Sequence, residues 1–196
     1  GEVVEITGAA GVGKSRLLYE FENWLDVHPA RIHLLKGRAT EDKATIPYAL
    51  IRDLFAFRFE IHDSDGDAKK RVKLRDGLVE LAGREAEECL PFVGHVLGFD
   101  FADDPQLQGI LNDAKQIRDR ALHDFTELLE RMARERAIVI LLEDVHWADA
   151  GSLDLIDHIL QTSPDLPLLV VATTRPLLFE RRQSWAGQGL PVTRLD

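Results

Sequence analysis

Short apolar runs and longer amphipathic stretches alternate along this chain. The runs cover 2–7, Arg31 to Lys36 (ended by Gly37), Ile138 to Leu142 and Leu168 to Thr173, and each reads as a buried strand; 191–195 reads as a last short one. Between them, apolar residues recur at helical spacing. Leu17, Leu18, Phe21 and Leu25 predict a helix over 14–27. Leu50, Ile51, Leu54 and Phe55 predict another, opened by Pro47 in the early position that proline favours. Helical patterns then run over 68–83 and 85–98, the second broken or kinked at Pro91, with a polar turn from His62 to Asp67 before them. Asp103-Asp104-Pro105 marks a boundary. The strongest helix signal is 114–136, where Ile117, Ala121, Leu122, Phe125, Leu128, Leu129 and Met132 line one core-facing side. A last helix runs from about Ser152 to Gln161. Alternating strands and helices predict an α/β fold with a mostly parallel sheet and right-handed crossovers. The all-helical middle, about 47–133, is long for one crossover and reads as an insertion within a single domain over 1–196.

The join between the first strand and the first helix carries the chemistry. Gly8, Ala9, Ala10, Gly11, Val12, Gly13, Lys14 and Ser15 fit the phosphate-loop pattern G-x-x-x-x-G-K-[ST] in its required strand–loop–helix setting, and Arg16 follows directly. Glycines let backbone N–H groups turn inward around phosphate oxygens, and the next helix presents its N-terminus to the same anion. Lys14 brings a positive charge to the terminal phosphates, and the Ser15 hydroxyl can ligate Mg²⁺. Such a loop needs an acid on a neighbouring strand. Glu143 and Asp144 close the most strand-like run, where one would hold Mg²⁺ or its bound water and the other would orient the attacking water. The residues alone leave open which acid does which.

Composition narrows the partners. The formal net charge of −10 argues against a nucleic-acid surface, which needs clustered Lys and Arg. No apolar stretch is long enough for a membrane span. Cys89 is the only cysteine, which rules out an intrachain disulfide and points to a reducing, cytoplasmic setting. The abrupt start at the first strand suggests a domain of a longer protein. Other signals fail. The histidines show no metalloprotease spacing, and one cysteine builds no zinc site. Asp63 to Asp67 resembles a calcium loop with a misplaced glycine and Leu74 at the twelfth position. Asp63 to Gly66 also fits a GTPase element, but no guanine-reading N-K-x-D exists in the chain, so ATP is the better expectation than GTP.

Leu141-Leu142-Glu143-Asp144-Val145-His146-Trp147-Ala148-Asp149, followed by Ser152-Leu153, resembles the extended Walker B segment of STAND-class ATPases of the AAA superfamily. The likeness is greatest to ATPase domains attached to class III adenylate/guanylate cyclases; large LuxR-type transcription regulators carry a similar segment. It continues in Gly37-Arg38-Ala39, in Pro47-Tyr48 with the following helix, and in Ala172-Thr173-Thr174-Arg175-Pro176. The resemblance implies a three-layer P-loop fold with a five-stranded sheet in the order 5-1-4-3-2, and catalysis by Lys14, Glu143, Asp144 and Arg175. It implies Glu143 on the metal side, Asp144 on the water side and Arg175 as a γ-phosphate sensor. Many relatives have Asp-Asp at 143–144, so the longer Glu143 side chain leaves the exchanged assignment open. Trp147 reads as a packing anchor and Asp149 as the N-cap of the next helix. His146 either orients a carboxylate or caps local backbone.

Three functions fit these expectations. One is a slow MgATP-hydrolysing module of a multidomain signalling protein, with ATP or ADP and the other domains of the polypeptide as partners. Another is a nucleotide-gated switch, including a homo-oligomer completed by an arginine such as Arg181, Arg182 or Arg194 from a neighbour. The third, a kinase or transferase, lacks an acceptor-binding signature and ranks last.

Overall fold

The computed structural model describes residues 1–176 and 192–194. Four strands of six or seven residues form a parallel sheet: β1 (Glu2–Thr7), β2 (Ile32–Arg38), β3 (Ala137–Glu143) and β4 (Leu168–Thr174). Their order is β1-β4-β3-β2, and β5 (Val192–Arg194) adds a three-residue parallel ladder on the free side of β1. The sheet is thus four full strands with the short β5 at its edge. Helices cover both faces, and the central strands β3 and β4 are accordingly apolar on both.

Among the described residues, one face carries only α1 (Lys14–Val27), whose Leu18 and Leu25 pack on Ile6, Val139, Leu141 and Val171. The other carries α2 (Ala49–Arg58), α3 (Asp67–Ala82), α4 (Leu90–Val96), α5 (Pro105–Gln108), α6 (Ala114–Glu135) and α7 (Ala150–Thr162). Among the described residues only helices and turns lie between β2 and β3. Their apolar faces merge with Leu35, Ile140, Leu142 and Val170 of the sheet into one core. Burying each large side chain there contributes about 1.5–3 kcal/mol.

Two local expectations, at Gly37 and Pro47, change, and the break expected at Pro91 is present. Gly37 does not end β2, because Gly37 and Arg38 stay in register with Leu142 and Glu143. A Cβ at Gly37 would lie 2.9 Å from Leu54 Cδ2, so the glycine admits α2 against the strand rather than breaking it. Pro91 stands in the first turn of α4, where its missing N–H has no helical partner to lose; 84–88 is a separate 3-10 turn. The helix expected from Pro47 begins at Ala49 because Tyr48 takes a left-handed φ of 58°. No helix among the described residues is long and apolar enough to cross a membrane.

Asp124 interrupts the apolar side of α6 and is fully buried, with Arg120 Nε at 2.9 Å. Cys89, Asp124 and Glu127 bring their ligand atoms within 4.8 Å of one another, but Arg120 and Arg131 already pair with the two acids. Burial pushes the Asp124 carboxyl up to about 6, against the pull of Arg120. A raised folded-state value means that Asp124 contributes stability below its unfolded value of about 4 and loses it as pH rises through about 6. In urea unfolding, wild type should therefore lose stability relative to Asp124→Asn between about pH 4 and pH 6, and a pH-independent difference would contradict this. Gly94 closes against Phe101, whose Cε2 would sit 2.3 Å from an added Cβ. Gly94→Ala should cost about 1–3 kcal/mol. Gly109→Ala, with open space around its Cβ, should change stability by less than about 0.5 kcal/mol in the same assay.

Candidate nucleotide site

The site lies at the carboxyl ends of the parallel strands, where open α/β sheets place their ligands. β1 ends at Thr7, in register with Thr174 of β4, and the chain turns through 8–13 into α1. Gly11 and Gly13 hold φ of +84° and +101°, a region costly for side-chain-bearing residues. A Cβ at either would meet nothing within 4 Å, so both glycines are required by backbone conformation rather than by crowding. Successive N–H groups in such a turn form a concave anion receptor.

Lys14 is buried at 8 % exposure, yet its ammonium has no carboxylate partner in the loop. Nζ donates to the carbonyls of Gly8 at 2.9 Å and Ala9 at 2.7 Å. The loop thus folds around its own cation. The Ser15 hydroxyl donates to Glu143 Oε2 at 3.1 Å across the sheet. Two hard oxygen donors side by side beside a phosphate-type loop suit Mg²⁺.

Asp144 follows Glu143 in a left-handed conformation, φ 54°, and its N–H donates to Thr173 Oγ1 at 3.1 Å. That turn sends the two adjacent acids to different partners: Glu143 to Ser15, and Asp144 to Arg38. Arg38 Nε and Nη2 both donate to Asp144 Oδ2, at 3.2 and 3.0 Å. The Ala39 N–H donates to the Glu143 carbonyl at 2.9 Å, extending the β2–β3 ladder to the site. Behind the loop, burial first and Asp157 second raise the Glu5 carboxyl above the usual carboxylate range.

The structure brings Lys14, Ser15, Glu143 and Asp144 to one end of the sheet. Arg175 stands at the same end, exposed, one residue beyond the Thr7–Thr174 pair. Arg16 does not turn toward the loop; it pairs with Glu20 and lies 5.7 Å from the Tyr19 ring along α1. Arg181 and Arg182 lie outside the described residues, and Arg194 is described only as part of β5. His146 is buried beside Trp147, ring centroids 5.2 Å apart. Asp149 caps α7, accepting from Ser152 N at 2.9 Å.

Sequence reasoning missed the role of Arg38. Its signals were its place in the Gly37-Arg38-Ala39 segment and a basic residue at the end of a strand that proves to pair with β3. A cavity of about 1030 Å³ was also missed. It opens from Ser15 and Glu143 between α1 and α2, past Lys36, Arg38 and Phe57.

Known proteins give three points of comparison. An uncharacterized protein of Rhizobium meliloti (strain 1021) is 29% identical over 176 residues, which cover 90% of this chain; the chain spans 16% of that relative's length. A solved structure of CbiO1 from Clostridium perfringens, part of the ABC transporter complex cbiONQ, aligns with 89% of this chain and 67% of its own. Identity there is 16% and the TM-score 0.37, a distant likeness. A family model described as an AAA ATPase domain matches residues 1–171, the phosphate loop, the Glu143-Asp144 strand end and the helices between them included. The chain belongs to the AAA ATPase domain family.

Proposed function

We propose that this domain binds MgATP at residues 8–15 and hydrolyses it slowly, serving as a regulatory module within a multidomain signalling protein. The observation that carries the reading is the Ser15–Glu143 contact beside a lysine already turned into its loop. Loop N–H groups would receive the phosphates, and the Lys14 ammonium would offset charge that builds on them. When bound at Ser15 and Glu143, Mg²⁺ would polarise the phosphate oxygens. Asp144 would orient a water for in-line attack on the γ-phosphorus. The new P–O bond comes from water, the bond to the ADP oxygen breaks, and ADP and inorganic phosphate leave. Arg175, exposed at the same end, would read the γ-phosphate with its planar donor fork.

A second reading, a nucleotide-gated switch with negligible turnover, draws on the Arg38–Asp144 pair. Both guanidinium donors end on one carboxylate oxygen, so the water-side acid is held by the chain itself in this state. Other domains of the same polypeptide, or a homo-oligomer, would then read the nucleotide state. The class III cyclase type of STAND protein remains the setting that best matches the His146-Trp147-Ala148-Asp149 segment.

Lys14→Ala should abolish MgATP binding by calorimetry while leaving the unfolding midpoint nearly unchanged. An alanine variant that still binds would refute the role of the loop. Asp144→Asn should keep binding and lower single-turnover hydrolysis by about 10²-fold or more. Turnover that stops with Glu143→Gln but survives Asp144→Asn would show the two roles exchanged.

A further inference from the structure

Asp149 does more than cap its own helix. Asp149 is 3 % exposed and no lysine or arginine pairs with it among the described residues; Lys43, in the segment that leads to Tyr48, is paired with Asp53. Four donors meet it instead. Oδ1 accepts from Ser152 N at 2.9 Å and Tyr48 N at 2.7 Å; Oδ2 accepts from Ser152 Oγ at 2.6 Å and Leu50 N at 3.3 Å. Ser152 Oγ in turn accepts from Ile51 N at 3.4 Å. One carboxylate therefore serves the N-termini of both α7 and α2, whose dipoles favour a negative charge there.

The two segments that meet at Asp149 also meet at the nucleotide site. Residues 38–48 leave the site at Arg38, bound to Asp144, and arrive at Tyr48, bound to Asp149. Residues 143–149 run between the same two points through the single turn Val145–Trp147. The pair is closed at one end by Arg38–Asp144 and Ala39–Glu143, and at the other by Tyr48–Asp149. Such a closed loop of short segments has little freedom to shift at one end alone. We infer that Asp149 is a positioning residue that couples the Glu143-Asp144 strand end to α2, so that nucleotide occupancy is transmitted into the helical insertion.

This inference rests on the nucleotide-binding reading, and the test separates the two. Amide hydrogen exchange is measured on the 196-residue chain alone, with MgADP and with a non-hydrolysable MgATP analogue. Amides of 8–15 report binding; those of Tyr48, Leu50, Ile51 and Ser152 report the clasp. In wild type the analogue should slow both sets, the second by about 5-fold or more. In Asp149→Asn, whose amide turns a donor toward donors, the response at 8–15 and the affinity should persist while the response at 48–51 disappears. If Asp149→Asn does not fold, Ser152→Ala removes the Oγ bonds to Asp149 and Ile51 but keeps the carboxylate, and should diminish the response at 48–51. A purely structural cap would lower stability without altering the nucleotide response. Wild-type protection confined to 8–15, or an undiminished α2 response in the variant that folds, overturns the coupling. Absence of protection at 8–15 in wild type overturns the nucleotide reading itself, and the coupling with it.

Discussion

The hydroxyl of Ser15 and the carboxylate of Glu143 are separated by 128 positions in the chain and by 3.1 Å in space. Everything at the site depends on keeping them there. Parallel pairing of β1 with β4 and of β4 with β3 sets both strand ends at the same level. α1, leaving the loop at Lys14, then brings Ser15 over β3 while Leu18 and Leu25 bury against Leu141 and Val139. The packing that stabilises the fold is thus the packing that aligns the two halves of the site.

Charge is handled differently at each acid. Glu143 meets a neutral hydroxyl, Asp144 a guanidinium, and Asp149 only neutral donors at two helix ends. Asp124 is buried beside Arg120, and burial drives its carboxyl toward the neutral form. Lys14 shows the complementary case: a buried ammonium that the loop solvates with two carbonyls. A chain with a formal net charge of −10 can still present a cationic receptor for phosphate, because the receptor is local and largely backbone.

Elements whose cause is local were legible in the sequence. The phosphate loop, the 114–136 helix, the 138–142 strand and the Asp149 cap all follow from nearby residue types and spacing. The break expected at Pro91 is present, whereas Gly37 was misread because its local tendency to end a strand gave way to close packing of Leu54. The partners of Arg38 and Asp149 were hidden for a different reason. Arg38 meets Asp144, and Asp149 meets Tyr48 and Leu50, only through the register of β2 on β3 and the approach of α2 to α7, which no short window of sequence contains. The family match over 1–171 fixes the domain type, while the signalling setting rests on resemblance in a few segments.

The most direct test of the account is an isothermal titration of the wild-type chain with MgATP, MgADP and MgGTP. A single saturable site should take the adenine nucleotides in preference to MgGTP. Absence of binding at millimolar nucleotide would contradict it, and equal affinity for MgGTP would contradict the choice of ATP.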